Sequence, residues 1–431
     1  MSAGNQTARP LKAPFPYFGG KRTVAAEAWA RLGDVRNYVE PFAGSAAMLL
    51  MRPHAGRVET LNDADCFIAN FWRATQAAPD EVVAYADGPV NEADLHARHR
   101  WLVLSDDAAT WRERMRTDPD YYDPKVAGWW VWGQCMWIGG GWCSYAVGQD
   151  RRPVIDGGGG GAIQKGVHRT PHTKRPSLGD AHGGAGTKGV HQTRLTQQVP
   201  DISGEGGATG RGIHGSGMTF AGRPQLADAF SRGRGVHGHD EASTCAQRRA
   251  WLRDWFQALR DRLRPVRVCC GDWSRVCSSH SVTTRIGLTG IFLDPPYARD
   301  LDRLRAWIDA LDAGRDAIET GGLFGGLGDM KGKASRSDGL YATDGQDVDR
   351  LVAEVHRYCR DRGGDPQMRI ALCGYEGEHD ALEEHGWTVW AWKAQGGYGN
   401  RGGENMNKGR ERIWFSPHCL PVGGEETEPT S

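Results

Sequence analysis

The chain has no net charge, because 53 Lys and Arg balance 53 Asp and Glu. No overall field therefore steers it toward a polyanion or an anionic membrane surface. No apolar run approaches the roughly 18 residues that a membrane span requires, and no charged leader with an apolar core opens the chain. Ten cysteines are present, yet none forms a C-x-x-C pair and no Cys/His spacing suits zinc. Cys269 and Cys270 lie in an apolar run and read as reduced core residues, not as a disulfide. The G-x-G-x-x-G fingerprint of pyrophosphate binders is missing. So are a Pro-Cys nucleophile at a strand end and the second acidic cluster that a fused nuclease would need. These absences leave a soluble protein of a reducing compartment, with no membrane segment and no bound metal expected.

What is present is uneven. The chain is 39% hydrophobic with 17 Trp, enough to build a core over more than one domain. Its 60 glycines are about twice average usage, and many fall in residues 151–240. Residues 151–239 hold twelve Lys/Arg against five Asp/Glu, so the neutral total hides a basic segment in an otherwise acidic chain.

The sharpest local signal is Asp294-Pro295-Pro296-Tyr297. It follows Gly290-Ile291-Phe292-Leu293, a short apolar run that reads as a buried strand. Two prolines cannot continue a ladder or start a helix, so the strand must end in a rigid turn. That turn carries a carboxylate, an unpaired carbonyl and a ring, a cradle for a flat ligand bearing an amine.

The elements around it alternate strand and helix. Pro16-Tyr17-Phe18-Gly19-Gly20-Lys21 precedes a helical pattern over residues 23–32, with a lysine at the helix mouth. Asn37-Tyr38-Val39-Glu40 reads as a strand. It enters Pro41-Phe42-Ala43-Gly44-Ser45, a tight small-residue turn before a helix. A second strand over 58–61 is followed by Asp63 and Asp65. An acid about 20 residues after a glycine turn is placed for ribose hydroxyls; helix capping is the other role open to this pair. Trp251, Leu252, Trp255, Phe256, Leu259 and Leu263 mark one face of a helix. A strand over 266–270 then ends in Gly271-Asp272-Trp273, an acid and a ring suited to an adenine. Residues 298–340 read as a mobile Gly- and charge-rich connection. A helix over 348–359 and strands over 368–373, 387–392 and 412–415 complete the pattern. Acids and rings recur at strand ends, which implies a doubly wound α/β sheet with its ligands in the crevice above them.

Two stretches fall outside that pattern. Five tryptophans, Trp129, Trp130, Trp132, Trp137 and Trp142, crowd fifteen residues. They are either rings that stack on extruded bases or a compact aromatic core. Lys165-Gly166-Val167-His168 returns at Lys188, Arg211 and Arg234, every 23 residues. A cation in each unit suits repeated phosphate contacts; a tolerated loop expansion is the alternative.

Taken together, these residues resemble the Dam type of DNA adenine-N6 methyltransferase, in the form often carried by phages and prophages. Gly19-Gly20-Lys21 matches the family's amino-terminal element, and Glu40-Pro41-Phe42-Ala43-Gly44-Ser45 its glycine motif. Asp63 matches the ribose acid, Asp272-Trp273 the adenine pair, and Asp294-Pro295-Pro296-Tyr297 the catalytic motif. The resemblance covers residues 14–75 and 245–416. It implies a Rossmann-like methyltransferase sheet in two parts, 14–76 and 245–418. Between them lies an inserted target-recognition region, 77–244, with the Trp-rich segment at 128–145 and the repeats at 151–240. A disordered tail is expected over 419–431. The resemblance further implies S-adenosylmethionine as cofactor, double-stranded DNA as partner, a flipped-out adenine as substrate, and a monomer in the bacterial or phage-host cytoplasm, with or without a partner restriction enzyme. Asp294, Pro295, Pro296 and Tyr297 would be catalytic. Tyr17, Gly19, Gly20, Lys21, the 40–45 turn, Asp63, Asp272 and Trp273 would hold the cofactor. Trp129, Trp130, Trp132, Trp137, Lys165, Lys188, Arg211 and Arg234 would face DNA. Methylation of cytosine N4, which uses the same acid-Pro-Pro-aromatic geometry, and a non-catalytic DNA-binding relative are the alternatives.

Overall fold

The computed structural model describes residues 11–17, 21–105, 107–137, 142–143, 146–147, 153–154, 235–237, 245–314, 348–392 and 409–422. Gly19, Gly20, Lys165, Lys188, Arg211 and Arg234 lie outside the described residues.

Seven strands form one sheet: β1 (Asn37–Glu40), β2 (Val58–Asp63), β3 (Val266–Cys270), β4 (Thr289–Leu293), β5 (Met368–Tyr375), β6 (Thr388–Ala391) and β7 (Glu411–Phe415). Their order across the sheet is β3-β2-β1-β4-β5-β7-β6. The first five run parallel, with Val39 beside both Thr60 and Ile291. The strand β7 is antiparallel to both of its neighbours, β5 and β6. Parallel pairing requires crossovers, and the helical segments between the strands provide them. From β1 the chain steps outward to β2 and β3, then returns to the opposite side of β1 as β4. That reversal leaves a crevice above the carboxyl ends of β1 and β4, where open α/β sheets place their ligands.

Neighbouring residues along a strand enter different cores, as the two-residue period of a strand requires. Tyr38, Phe292, Cys373, Ile413 and Phe415 pack on one face. Val39, Ile291, Leu293, Leu372 and Trp414 pack on the other. Both faces are thus covered, which is why β4 is an unbroken buried run and shows no alternation of apolar and polar residues.

On the first face lie α1 (Ala25–Leu32), α2 (Ala47–Leu50), α3 (Cys66–Ala77), α4 (Pro79–Ala86), α5 (Glu92–Leu104), α6 (Asp107–Thr117), α7 (Pro124–Met136) and α8 (Cys245–Leu263). Asp65 caps α3 by accepting from Phe67 N at 2.8 Å, and Asp123 caps α7 in the same way. The helix α8 buries Leu252, Phe256, Leu259 and Leu263, the face its spacing predicts. Its Arg262 joins Arg52 on the buried Glu59 of β2, at 2.6 and 3.0 Å. The described part of the insert therefore shares a core with the sheet.

The second face is covered by α9 (Ser274–Cys277) and α11 (Val348–Arg362). Between β4 and α11 lies α10 (Leu301–Asp312), which corrects the expectation of a mobile connection for those residues. Asp300 caps α10 by accepting from Asp302 N and Arg303 N. Leu304, Trp307 and Leu311 then pack on Val348, Val352 and Ala353 of α11. Residues 315–347 lie outside the described set. The expected tail begins later than its composition suggests, because Leu420 N donates to Arg31 O at 2.7 Å. No helix among the described residues is long and apolar enough to cross a membrane.

Candidate active site

The carboxyl ends of the parallel strands bring the sequence motifs together. After β1, Pro41 to Ala46 form a turn that runs into α2, with Gly44 at φ +46° and Ala46 at φ +50°. Ala43 N donates to Asn62 O at 2.9 Å, and Gly44 N donates to Asp63 Oδ2 at 2.9 Å. Trp72 Nε1 donates to Gly44 O. A Cβ at Gly44 would meet the Tyr17 ring at 2.5 Å, so this position needs glycine for both its φ and the ring. Asp63 Oδ1 accepts from Asp65 N at 2.8 Å. Asp63 thus fixes the glycine turn, and Asp65 is the helix cap.

The turn after β3 is tied to the turn after β1 by a residue that sequence inspection passes over. Asn62 Nδ2 donates to Pro41 O and to Gly271 O, each at 3.0 Å. Asp272 is exposed, and its Oδ1 accepts from Ser274 N. Trp273 is buried against Phe42, with centroids 6.2 Å apart, and against Tyr358. Phe42, only half-buried, is therefore the member of this pair with free ring surface.

After β4, Pro295 and Pro296 are buried while Asp294 and Tyr297 are half-buried. Lys21 links the two. Its Nζ lies 2.9 Å from Asp294 Oδ1 and donates to Tyr297 OH at 2.8 Å. The Tyr297 hydroxyl in turn lies 3.4 Å from Asp294 Oδ1. Glu411 of β7 stands 3.9 Å from the same ammonium. Family resemblance assigns Lys21 to the cofactor, but it sits on the acid of the Asp-Pro-Pro-Tyr turn. Both described contacts of Asp294 fall on Oδ1, so Oδ2 remains to accept from a ligand. Edge-on to the Tyr297 ring, at 4.5 Å, is Tyr375 from the end of β5. Glu411 and Tyr375 carry no local sequence signal; only the sheet order brings them here.

Burial pushes the Asp294 carboxyl up, while Lys21 and Tyr297 hold it down. Burial works against the Lys21 charge, and the carboxylates of Asp294 and Glu411 overcome it, so its pKa is raised. Glu40 is driven up to about 8 by burial, despite bonds from Leu49 N and Tyr38 OH. Asp63 is driven up to about 7 by burial and by Asp65, and Glu378 to about 8 by burial.

These shifts fix the sign of the pH dependence. The three carboxyls hold protons more tightly folded than unfolded, so stability falls as pH rises through 7 and 8. Below the ordinary histidine value of 6.5 an opposite contribution enters. Buried His99, His237 and His356, pushed down to about 4 chiefly by burial, stay neutral while the unfolded chain takes up protons. The ligand-free protein should therefore melt at a higher temperature at about pH 6.5 than at about pH 8.5. Calorimetry at the two pH values checks this, and a midpoint that climbs between them contradicts it.

The candidate DNA-facing tryptophans separate. Trp130 and Trp132 are buried, at 3% and 0% exposure, and Trp130 packs edge-on to Phe15 at 5.0 Å. Neither ring has a free face for a base, so both are corrected to core residues. Trp137 is half-buried and stacks on His99. Trp129 is half-buried with Lys125 over its ring at 4.6 Å and Arg98 at 5.3 Å. One copy of the repeated tripeptide is described, Gly235-Val236-His237. Val236 N donates to Pro14 O, and His237 Nε2 pairs with Trp132 O at 3.2 Å. Val236 and His237 are both buried, so this copy serves as packing.

Among the described residues no group of three or more His, Cys, Asp or Glu is placed to hold a metal ion. No curated protein matches the chain. Residues 17–103 match the family model of the D12 class N6 adenine-specific DNA methyltransferases. That segment carries Tyr17, Lys21, the Gly44 turn and Asp63, the residues gathered at the carboxyl ends of β1 and β2. Over that segment the chain is similar to the D12 class N6 adenine-specific DNA methyltransferases, enzymes that methylate adenine in DNA.

Proposed function

We propose that the enzyme transfers a methyl group from S-adenosylmethionine to N6 of an adenine rotated out of duplex DNA. The observation that carries this is the Asp294–Tyr297 turn beside the glycine turn, with Asp294 and Tyr297 both bonded to Lys21. N6 is out of reach inside a duplex, so the base must leave the stack to meet Asp294.

The residues present fit S-adenosylmethionine. Gly44 lets the turn after β1 fold tightly against Tyr17, Asp63 closes the end of β2 as a ribose acid would, and Asp272 has an exposed carboxyl beside the half-buried Phe42. The 40–45 turn, Asp63, Asp272 and Phe42 would hold it. When bound, it supplies an electrophilic methyl on a sulfonium centre.

The protein's part is positioning and electrostatics. An exocyclic amine is a poor nucleophile because its lone pair is delocalised into the ring. Asp294 Oδ2 and the Pro295 carbonyl accept from the two N6–H groups, which favours a pyramidal nitrogen with its lone pair exposed. Lys21 keeps the Asp294 carboxylate charged before transfer, and Asp294 takes the proton that N6 sheds. Tyr297, held at its hydroxyl by Lys21 and at its ring by Tyr375, offers a face for the base.

Residues 14–76 and 245–418 would form the methyltransferase part, and 77–244 would choose the target. Trp129 with Lys125 is the part of the described insert best suited to DNA. A monomer acting in the bacterial or phage-host cytoplasm is consistent with this role.

The test is direct. The purified chain, given unmethylated genomic DNA and labelled cofactor, should yield N6-methyladenine on nucleoside mass spectrometry. Label in N4-methylcytosine alone, or none in DNA, would overturn the proposal.

A further inference from the structure

The turn that carries Asp294 and Tyr297 is tied, through the residues that follow it, to side chains from elsewhere in the chain. Pro295 and Pro296 have no N–H to donate. The backbone donors of the three residues after Tyr297 all end on carboxylates from elsewhere in the chain. Ala298 N donates to Glu378 Oε1 at 3.1 Å. Arg299 N and Asp300 N donate to Asp349 Oδ1, at 2.7 and 3.3 Å. Asp349 belongs to α11, and Glu378 lies in the turn after β5; both are buried, at 2% and 4% exposure.

Glu378 has little freedom to move. Its N donates to Tyr375 O, at the end of the strand whose Tyr375 ring meets Tyr297. Its Oε2 lies 3.9 Å from His379 Nε2. His379 stacks on His356, with their Nδ1 atoms 3.2 Å apart, and sits edge-on to Trp414. A Cβ at Gly374 would be 2.8 Å from Oε2 and 2.9 Å from the His379 ring, so glycine leaves room there for both. The carboxyl packs beside a ring wall and a strand, with one oxygen on the amide that follows Tyr297.

We propose that Glu378 is a positioning residue for methyl transfer: by accepting from Ala298 N it sets where the Asp294–Tyr297 turn stands against the incoming amine. This rests on that turn being the catalytic one. The bond needs only an oxygen acceptor at Oε1, whichever form the carboxyl takes. Losing it leaves a donor with no partner beside Tyr297 and frees the turn to shift. A displacement of about 1 Å at a reacting centre costs on the order of 100-fold in rate.

The test compares Glu378→Ala, Glu378→Gln and Asp294→Ala in the full chain. It reads the single-turnover rate on preformed complexes, cofactor affinity, and the melting temperature. At a temperature well below melting, E378A should transfer methyl about 100-fold more slowly, with cofactor affinity unchanged within about threefold. E378Q, whose amide oxygen can still accept, should regain most of the rate. A purely packing role would move the melting temperature and leave the rate alone. E378A at the parent rate, or E378Q as slow as E378A, overturns the proposal. Should E378A fail to fold, amide exchange at Ala298 in the unsubstituted enzyme decides. Strong protection is expected, and exchange at the rate of an open loop overturns the proposal. Normal transfer by D294A would instead sink the assignment of the turn itself. An inactive D294A beside a fully active E378A sinks only the role of Glu378.

Discussion

Asp294→Ala should lower methyl transfer to DNA by about 1000-fold, a loss on the scale of removing one preorganised electrostatic group, and leave cofactor affinity within a few-fold. The two effects separate because the cofactor contacts proposed above come from β1, β2 and β3, whereas Asp294 comes from β4. The variant should also fold. Lys21 keeps the Tyr297 hydroxyl at 2.8 Å and Glu411 at 3.9 Å, so its charge is not stranded. A tritiated-methyl assay beside cofactor calorimetry measures both quantities. Activity within tenfold of the parent would remove Asp294 from the reaction.

Lys21→Met should do something different and harm stability more. Lys21 is buried, at 5% exposure, between two carboxyls that burial already pushes up. Taking away one partner of a buried ion pair costs about 3–5 kcal/mol, because the remaining charge has no compensation. Asp294 and Glu411 lessen that cost by taking up protons, which itself costs free energy at neutral pH. A protonated Asp294 is a poorer acceptor for N6–H, so activity should need a higher pH. The expected result is a lower urea midpoint, together with an acid limb of the pH–rate profile displaced upward. Weaker methyl transfer with an unmoved acid limb would show that Lys21 does not hold the charge on Asp294. D294A loses the group outright, and raising the pH should not restore its activity, so the two variants are distinguishable.

Much of this site can be read locally because its motifs end strands abruptly. Glu40-Pro41-Phe42-Ala43-Gly44-Ser45 and Asp294-Pro295-Pro296-Tyr297 each stop an apolar run with a backbone constraint, and such constraints are visible in sequence. The face of α8 is equally plain, because four apolar residues repeat at helical spacing. The partner of Lys21 is not visible. A lysine after two glycines suggests an anionic ligand, and the anion it finds is a side chain from β4, fixed by sheet order. Asn62, Asp349, Glu378 and Glu411 are missed for the same reason: each acts through a contact set by topology, with no periodicity to mark it. The tryptophan cluster fails differently. Spacing alone cannot say which of Trp129, Trp130 and Trp132 points into a core; packing separates them, with Trp130 against Phe15 and Phe71 and Trp132 buried beside His237. The helix α10 was hidden by the glycine-rich stretch that follows it, although Leu301, Leu304, Ile308 and Leu311 repeat at helical spacing.

The adjacency of β2 and β3 also has a temporal side. Asn62 and Gly271 share a hydrogen bond across 209 residues of chain. Closing a longer loop is cheap at equilibrium, about 0.6 kcal/mol for each doubling of length. Gaining or losing a 23-residue repeat between those strands would therefore barely alter the stability of the finished sheet. Synthesis is less forgiving. At about 5–20 residues per second, Asp294 leaves the ribosome roughly 10–50 s after Asp63. Throughout that interval β1, an interior strand of the finished sheet, presents an unpaired edge where β4 will later dock, a template for wrong partners. The length of the insert thus sets how long the nascent chain must be kept from its neighbours.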